Sequence, residues 1–382
     1  MIYFDNAATT YPKPTEVAAA VNGALIKFGA NPGRSGHDMS MLTAEKIYET
    51  RKKLSEFFGS GGAEYVCFTQ NCTHAVNYAL KGTLKPGDHV LISAVEHNAV
   101  YRPVFALSKN GISHDVVDVD VNDANRTVEN FQKKIKKNTR MIAVSFSSNV
   151  FGIRNPVFEL GKLSKDRNLK FLVDAAQGGG VCPIDMGSMN IDCLAIAGHK
   201  GLYGPMGVGA LIVNDGAALD TIIEGGTGSG SRDKNQPLAL PDRFESGTVN
   251  VSGICGLGAG VDFVNRIGLD NIEKHEIALV CHAFDRLSAM KHVALYFPRP
   301  NGGIFTPVLS FNINGRDSSL VAQYLNNANI AVRAGLHCAP LAHKRFGTLD
   351  SGTVRISPSV FSTKKEVDIL CDTIEKIAST AL

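Results

Sequence analysis

Short apolar runs alternate along the chain with longer stretches whose apolar positions recur every three or four residues. The runs at 65–69, 89–94, 114–119, 141–147, 171–175, 192–197 and 208–213 read as strands. The stretches at 16–27, 41–58, 72–80, 100–109, 127–136 and 157–167 read as helices, the second burying Ile47, Leu54 and Phe58 on one side. This alternation predicts an α/β fold, a large and mostly parallel sheet covered by helices, with any site beyond the carboxyl ends of the strands. Past residue 255 the pattern changes. Helical stretches at 256–267 and 273–290 precede strands at 306–312 and 353–357, which alternate with helices at 318–328 and 364–378 in an α+β pattern. At 382 residues the chain suits two domains. The expected division is a large domain at 15–255 and a small one at 256–382, with 1–14 packing against the small one.

Candidate chemistry gathers where strands end. The run Asp192-Cys193-Leu194-Ala195-Ile196-Ala197 stops at Gly198-His199-Lys200-Gly201, and the run before it stops at Asp174, with Gln177 three residues on. A lysine so placed is either a solvated charge or a nucleophile, and glycines that admit a close ligand favour the second. An aspartate beside a lysine that forms a Schiff base is the arrangement pyridoxal 5'-phosphate (PLP) needs, because the acid keeps the pyridine nitrogen protonated and the ring an electron sink. The strand at 65–69, the turn Gln70-Asn71 and the helix start at Cys72-Thr73 form an anion site of backbone amides, the expected seat of the phosphate with Thr73 as donor. His97 and Asn149 also follow strands, although a lone histidine is more often structural, its Glu-His-Asn setting reversing that here, and Asn149 alone reads as an ordinary Asx turn. The glycine-rich stretch 225–231 lacks the ending of a P-loop and reads as an active-site or subunit-contact loop.

Seven motifs occur in order over nearly the whole chain: Asp5-Asn6-Ala7-Ala8-Thr9-Thr10, Glu96-His97-Asn98, Ser148-Asn149-Val150-Phe151-Gly152, Asp174-Ala175-Ala176-Gln177, Gly198-His199-Lys200, Glu245-Ser246-Gly247-Thr248 and Arg333-Ala334-Gly335-Leu336-His337-Cys338. On these the chain resembles the class V aminotransferase group of fold-type I PLP enzymes, and within it the cysteine desulfurases and selenocysteine lyases. The resemblance implies a homodimer in which Lys200 carries PLP as a Schiff base and Asp174 meets the ring nitrogen. It places Gln177 and Asn149 at the phenolic oxygen and stacks His97 on the ring, where it moves protons. Cys72, Thr73, His199 and Thr248 of the other chain would hold the phosphate, and Arg355, with Asn149, the substrate carboxylate. Cys338 would attack the substrate sulfur and carry it as a persulfide, turning L-cysteine into L-alanine before delivery to an acceptor protein. The same frame would serve L-selenocysteine, a class V aminotransferase or lyase acting on another amino acid, or a non-enzymatic PLP-binding regulator. Three positions depart from the family pattern: Cys72, His74 and Ala197.

His337 and the turn at Arg333-Ala334-Gly335 are the expected source of positive charge or hydrogen bonds for the Cys338 thiolate. The remaining numbers narrow the class. A net charge of +3 and no long basic block disfavour nucleic acid, and Lys133-Lys134-Ile135-Lys136-Lys137 reads as one solvated helix face. The eight cysteines include no C-x-x-C pair, so no metal is expected. Neither a signal peptide nor a long apolar span is read, so a cytoplasmic location without membrane contact is expected.

Overall fold

The computed structural model describes residues 1–32, 35–214 and 219–379. Residues 33 and 34, part of the stretch 31–37 that reads as a loop in the sequence, lie outside the described residues, as do 215–218, and 380–382 at the end of the expected small domain. In chain order the elements are β1 (Ile2–Tyr3), α1 (Thr15–Lys27), α2 (Asp38–Phe58), β2 (Val66–Thr69), α3 (Cys72–Thr83), β3 (His89–Ser93), α4 (Asn98–Leu107) and β4 (Ser113–Val117). They continue with α5 (Ala124–Lys134), β5 (Thr139–Ser145), α6 (Val157–Asp166), β6 (Lys170–Asp174), β7 (Cys193–Ala197), β8 (Gly209–Val213) and α7 (Val251–Ile267). The last third supplies α8 (Leu269–Ser288), β9 (Val293–Leu295), β10 (Leu309–Ile313), α9 (Ser318–Asn327), β11 (Ile330–Ala331), β12 (Arg333–Gly335), α10 (Pro340–Arg345), β13 (Thr353–Ile356) and α11 (Lys364–Ser379).

The large sheet has the order β2-β8-β7-β6-β5-β3-β4. Its pairs from β4 to β7 are parallel, and β8 runs against both β7 and β2. The connection at 198–208, which carries Lys200, holds no helix, and without a crossover the next strand returns antiparallel. Neighbouring residues of each strand face opposite layers. Leu91, Ile142 and Val173 pack with Leu54 and Phe58 of α2 and Leu160 of α6, whereas Val90, Ile92 and Leu172 pack with Val76 of α3 and Val100 of α4. Coverage on both faces explains why these strands read as continuous apolar runs.

The smaller sheet, β12-β13-β10-β9, is antiparallel. Its core joins Phe311 and Val354 to Leu287 of α8, Leu325 of α9 and Leu370 of α11, and Phe4 from the N-terminal segment enters the same cluster. β1 pairs in parallel with β11. The boundary expected after residue 255 falls inside α7, which packs on α1 and α2 and places Leu257 and Val261 in the core of the large sheet. The lysine run at 133–137 is not one helix face: α5 ends at Lys134, and Lys136, beyond it, pairs with Asp115 at 2.6 Å. The backbone leaves the helix at Ile135, so the last two lysines no longer share its periodicity.

α7 lies close against the turn that follows Lys200. A Cβ on Gly260 would stand 2.1 Å from the Leu202 carbonyl oxygen, so only glycine lets helix and turn meet. Gly260→Ala should cost about 1–3 kcal/mol, as overpacking against a fixed backbone does. A chemical denaturation midpoint that falls with an unchanged slope is the expected readout.

On the other side of Tyr203 lies Glu276 of α8, 3% exposed. Its Oε1 accepts from the Tyr203 hydroxyl at 3.5 Å, and among the described residues no cation stands within ion-pair distance. Burial pushes its carboxyl from the ordinary 4.5 up to about 8. Below the ordinary value both folded and unfolded chains are protonated there. As pH rises from 4.5 towards 8 the unfolded chain releases the proton first, and stability is lost over that window. Glu276→Gln should therefore melt higher than the parent at pH 8, with the gain shrinking to nothing by about pH 4.5; melting curves across pH check it.

Candidate active site

Lys200 is positioned from below by a web of carbonyl contacts. The Lys200 carbonyl accepts from Tyr203 N at 2.8 Å and from Thr10 Oγ1 at 3.1 Å, and the His199 carbonyl accepts from Lys13 Nζ at 2.7 Å and Thr9 Oγ1 at 3.1 Å. The N-terminal motif thus fastens the lysine turn to the top of β7. Lys200 is half-buried, and desolvation of its amine lowers its affinity for a proton, opposed by the Asp174 carboxylate. Lys13 is likewise pushed down by burial, to about 8.

Asp174 closes β6, one strand from β7, and is paired in register with Ala195. Its Oδ1 accepts from Ala176 N at 2.9 Å and from Cys72 Sγ at 3.1 Å. Cys72 opens α3 after Asn71, whose side chain caps the helix by accepting from His74 N at 3.0 Å, a contact typically worth about 1 kcal/mol. The first turn of α3 therefore presents its amides to the cavity that Asp174 and Lys200 also line. Thr73 is exposed at its edge, and Ala197 lines its wall. His74 points elsewhere, into a separate groove with Thr248.

His97 caps α4, its Nδ1 accepting from Ala99 N at 3.0 Å. Burial, then Lys200, pushes its ring down to about 4, so it is neutral near pH 7. With Nδ1 accepting, the proton sits on Nε2. Glu96 beside it is wholly buried and takes bonds from Ser93 Oγ, Ser145 Oγ and Ser145 N, the last at 2.9 Å. Burial raises it to about 7. The glutamate of this motif thus ties β3 to β5 and sets the angle at which His97 leaves the sheet.

The small domain brings two further groups. Arg355 on β13 is fully buried, its Nη1 donating to the Asn149 carbonyl at 2.9 Å and its Nη2 to Asp5 Oδ1 at 2.6 Å, while its Nε has no partner. Cys338 follows β12. His337 and Cys338 both have positive φ, 50° and 56°, where non-glycine residues are strained by about 1–3 kcal/mol each. Two hydrogen bonds hold them there: Asn98 N donates to the Cys338 carbonyl at 2.7 Å, and Asn149 Nδ2 to the His337 carbonyl at 2.7 Å. Arg333 Nη2 stands 3.9 Å from Cys338 Sγ. Cys338 is exposed, whereas six of the other cysteines are buried and Cys255 is half-buried.

Of the residues singled out in the sequence, Cys72, Thr73, His97, Asn149, Asp174, Gln177, Ala197, His199 and Lys200 line one cavity of about 230 Å³. Asn149, a wall residue of that cavity, bonds both Arg355 and the turn that carries Cys338. Thr248 is exposed and lines the opposite groove with Arg51, whose guanidinium is clamped on the Glu245 carboxylate. Gln177 is occupied, donating Nε2 to the Ala7 carbonyl at 3.0 Å. Of the two expected sources of charge for Cys338, the Arg333 turn stands beside the thiol, whereas His337 supplies no positive charge, because burial and then Arg355 push its ring down to about 2. Arg333 is the cation there. Sequence reasoning also missed Asp5 as the partner of Arg355; it lay within the quoted N-terminal motif, but nothing local announced an ion pair across 350 residues.

The family model for class-V aminotransferases matches residues 2–370. A probable cysteine desulfurase of Methanothermobacter thermautotrophicus is 33% identical, over 99% of this chain and 94% of its own. A cysteine desulfurase of Escherichia coli O8 is 31% identical, over 99% and 93%. The apo structure of a cysteine desulfurase from Thermococcus onnurineus NA1 superposes with a TM-score of 0.88 at 32% identity, covering 99% of this chain and 94% of that one. The chain therefore belongs to the class-V aminotransferase family, whose members generally depend on PLP.

Proposed function

We propose that this protein is a PLP-dependent cysteine desulfurase that converts L-cysteine to L-alanine and carries the sulfur as a persulfide on Cys338. The observation that carries the reading is the placement of Cys338: an exposed thiol on a left-handed turn that is held by Asn98 and by Asn149, the latter a wall residue of the Lys200 cavity. A transaminase has no use for it.

The cavity fits the cofactor. His199 Nδ1 and Asn149 Oδ1 are buried without partners, as groups awaiting a polar ligand are, and the amides of α3 face the same space. Lys200 would bind PLP covalently, Asp174 would sit at the ring nitrogen, and Thr73 with His199 would hold the phosphate. Bound there, PLP supplies an electron sink for charge developing on the substrate α-carbon. Desolvation lowers the Lys200 amine's hold on a proton, which suits it to take the substrate α-proton and later return it. The neutral His97 offers an Nε2 proton toward the ring, and Arg355 the substrate carboxylate a guanidinium with an unused Nε. Cys338 thiolate, faced by Arg333, attacks the substrate sulfur. The new S–S bond forms as the carbon–sulfur bond breaks, the electron pair stays with the β-carbon, and protonation there completes alanine. The exposed persulfide is then open to a thiol acceptor, which we take to be a second protein.

Thr248 does not line the Lys200 cavity of its own chain, which supports a homodimer in which it completes the partner's phosphate site. Among the described residues no helix is long and apolar enough to cross a membrane and no cluster of metal-ligating side chains occurs.

Cys338→Ala should retain bound PLP and its visible absorption, yet form no persulfide from ³⁵S-cysteine and produce alanine more slowly by several orders of magnitude. Alanine at the parental rate would reject the persulfide mechanism. For the shared site, Lys200→Ala and Thr248→Ala proteins are mixed and allowed to exchange subunits. Each heterodimer then has one doubly damaged and one intact site, so desulfurase activity should rise above both parents; no rise after verified exchange argues for self-contained sites.

A further inference from the structure

We propose that Cys72 is a positioning residue for Asp174, its thiol proton fixing the carboxylate that faces the cofactor ring and tying it to the helix start that faces the phosphate. This rests on the reading that PLP occupies the Lys200 cavity. Cys72 is thus assigned to the aspartate rather than to direct contact with the cofactor.

Both groups are buried, with Sγ 3.1 Å from Asp174 Oδ1. The amide of Ala176 donates to that same oxygen at 2.9 Å. Among the described residues no donor reaches Oδ2, so the carboxylate has one oxygen filled by the protein and one left over. Rotation about its Cβ–Cγ bond would forfeit both donors at once. A single amide would orient the group less firmly, because one hydrogen bond tolerates a broad cone of acceptor angles.

The thiol can serve only as donor. Burial, then the Asp174 charge, raises its pKa well above that of a free thiol, and a thiolate facing a carboxylate would be repelled. Its location adds a second constraint. Cys72 is the first residue of α3, and Asp174 is the last of β6, 102 positions later. The helix start and the strand end face one cavity, and this contact is a direct side-chain link between them. A ligand that needs an anion seat at one end and a carboxylate at the other benefits when their separation is fixed beforehand.

The test compares wild type with Cys72→Ala, Cys72→Ser and Asp174→Asn, each confirmed folded by circular dichroism. The protein is resolved to its apo form, titrated with PLP by equilibrium dialysis, and the visible band of the reloaded protein is followed against pH. Cys72→Ala should bind PLP about tenfold more weakly, the order of one hydrogen bond to a charged acceptor, and shift the pH midpoint of the band. Cys72→Ser, which restores a donor, should recover both; Cys72→Val, similar in size and without a proton, should repeat the loss and replaces the alanine variant if that fails to fold. Wild-type affinity and midpoint in Cys72→Ala or Cys72→Val overturn the inference, as does a serine variant no better than alanine, which would assign the effect to packing. Should wild type bind no PLP, or Asp174→Asn match it in affinity and midpoint, the cofactor reading itself falls instead.

Discussion

Burial of the Lys200 amine drives it towards its neutral form, while the Asp174 carboxylate nearby pulls towards the charged one. Both effects weaken if water fills the cavity at the carboxyl ends of strands β6 and β7. The rest of the large domain follows from that requirement: helices cover both faces of the sheet, glycine at 260 lets α7 close on the turn after Lys200, and the N-terminal threonines and Lys13 seal it from the other side. The chain spends its least conformationally free residues on this turn. Tyr203 has a positive φ of 56°, supported by a bond from its amide to the Lys200 carbonyl.

A second constraint is that the two halves of the molecule must meet at one point. Asn149 is the joint. It leaves the end of β5 in the large domain, gives its carbonyl to Arg355 and its side-chain amide to the His337 carbonyl. Asp5 holds Arg355 from the third direction, with the guanidinium withdrawn from solvent and the carboxylate partly exposed. Such a pair contributes orientation more than stability, since removing two charges from water costs about as much as their attraction returns. Orientation is what a guanidinium needs to receive a carboxylate in a fixed pose. The strain stored at His337 and Cys338 is tolerated for the same reason: the Asn98 and Asn149 bonds over-determine that backbone.

The order and kind of the main elements were legible in the chain, because a sheet covered on both faces demands uninterrupted apolar runs, and helices between them demand a period near four. Lys200, Asp174, His97 and Thr73 were legible for a related reason. Strand ends in such sheets point at one crevice, so chemistry-bearing residues at those ends are brought together by topology alone. Cys338 stood out by lying in a polar loop, and the membership of the chain in its family could be seen in motifs spread from Asp5 to Cys338.

Other features belonged to the tertiary structure. Strands β9, β11 and β12 have three residues or fewer, too short for any period to register, and β12 carries Arg333. Which of the two expected sources brings positive charge to the Cys338 thiol was decided here: the Arg333 guanidinium does, and the His337 imidazole does not, because desolvation of the ring outweighs its intrinsic basicity. The Asp5–Arg355 pair, the Cys72–Asp174 bond and the end of α7 within the large domain likewise depend on which surfaces dock. The sequence by itself determines local periodicity and the residues at strand ends; contacts between residues hundreds of positions apart, and the proton affinities that burial sets, exist only once the chain has closed around them.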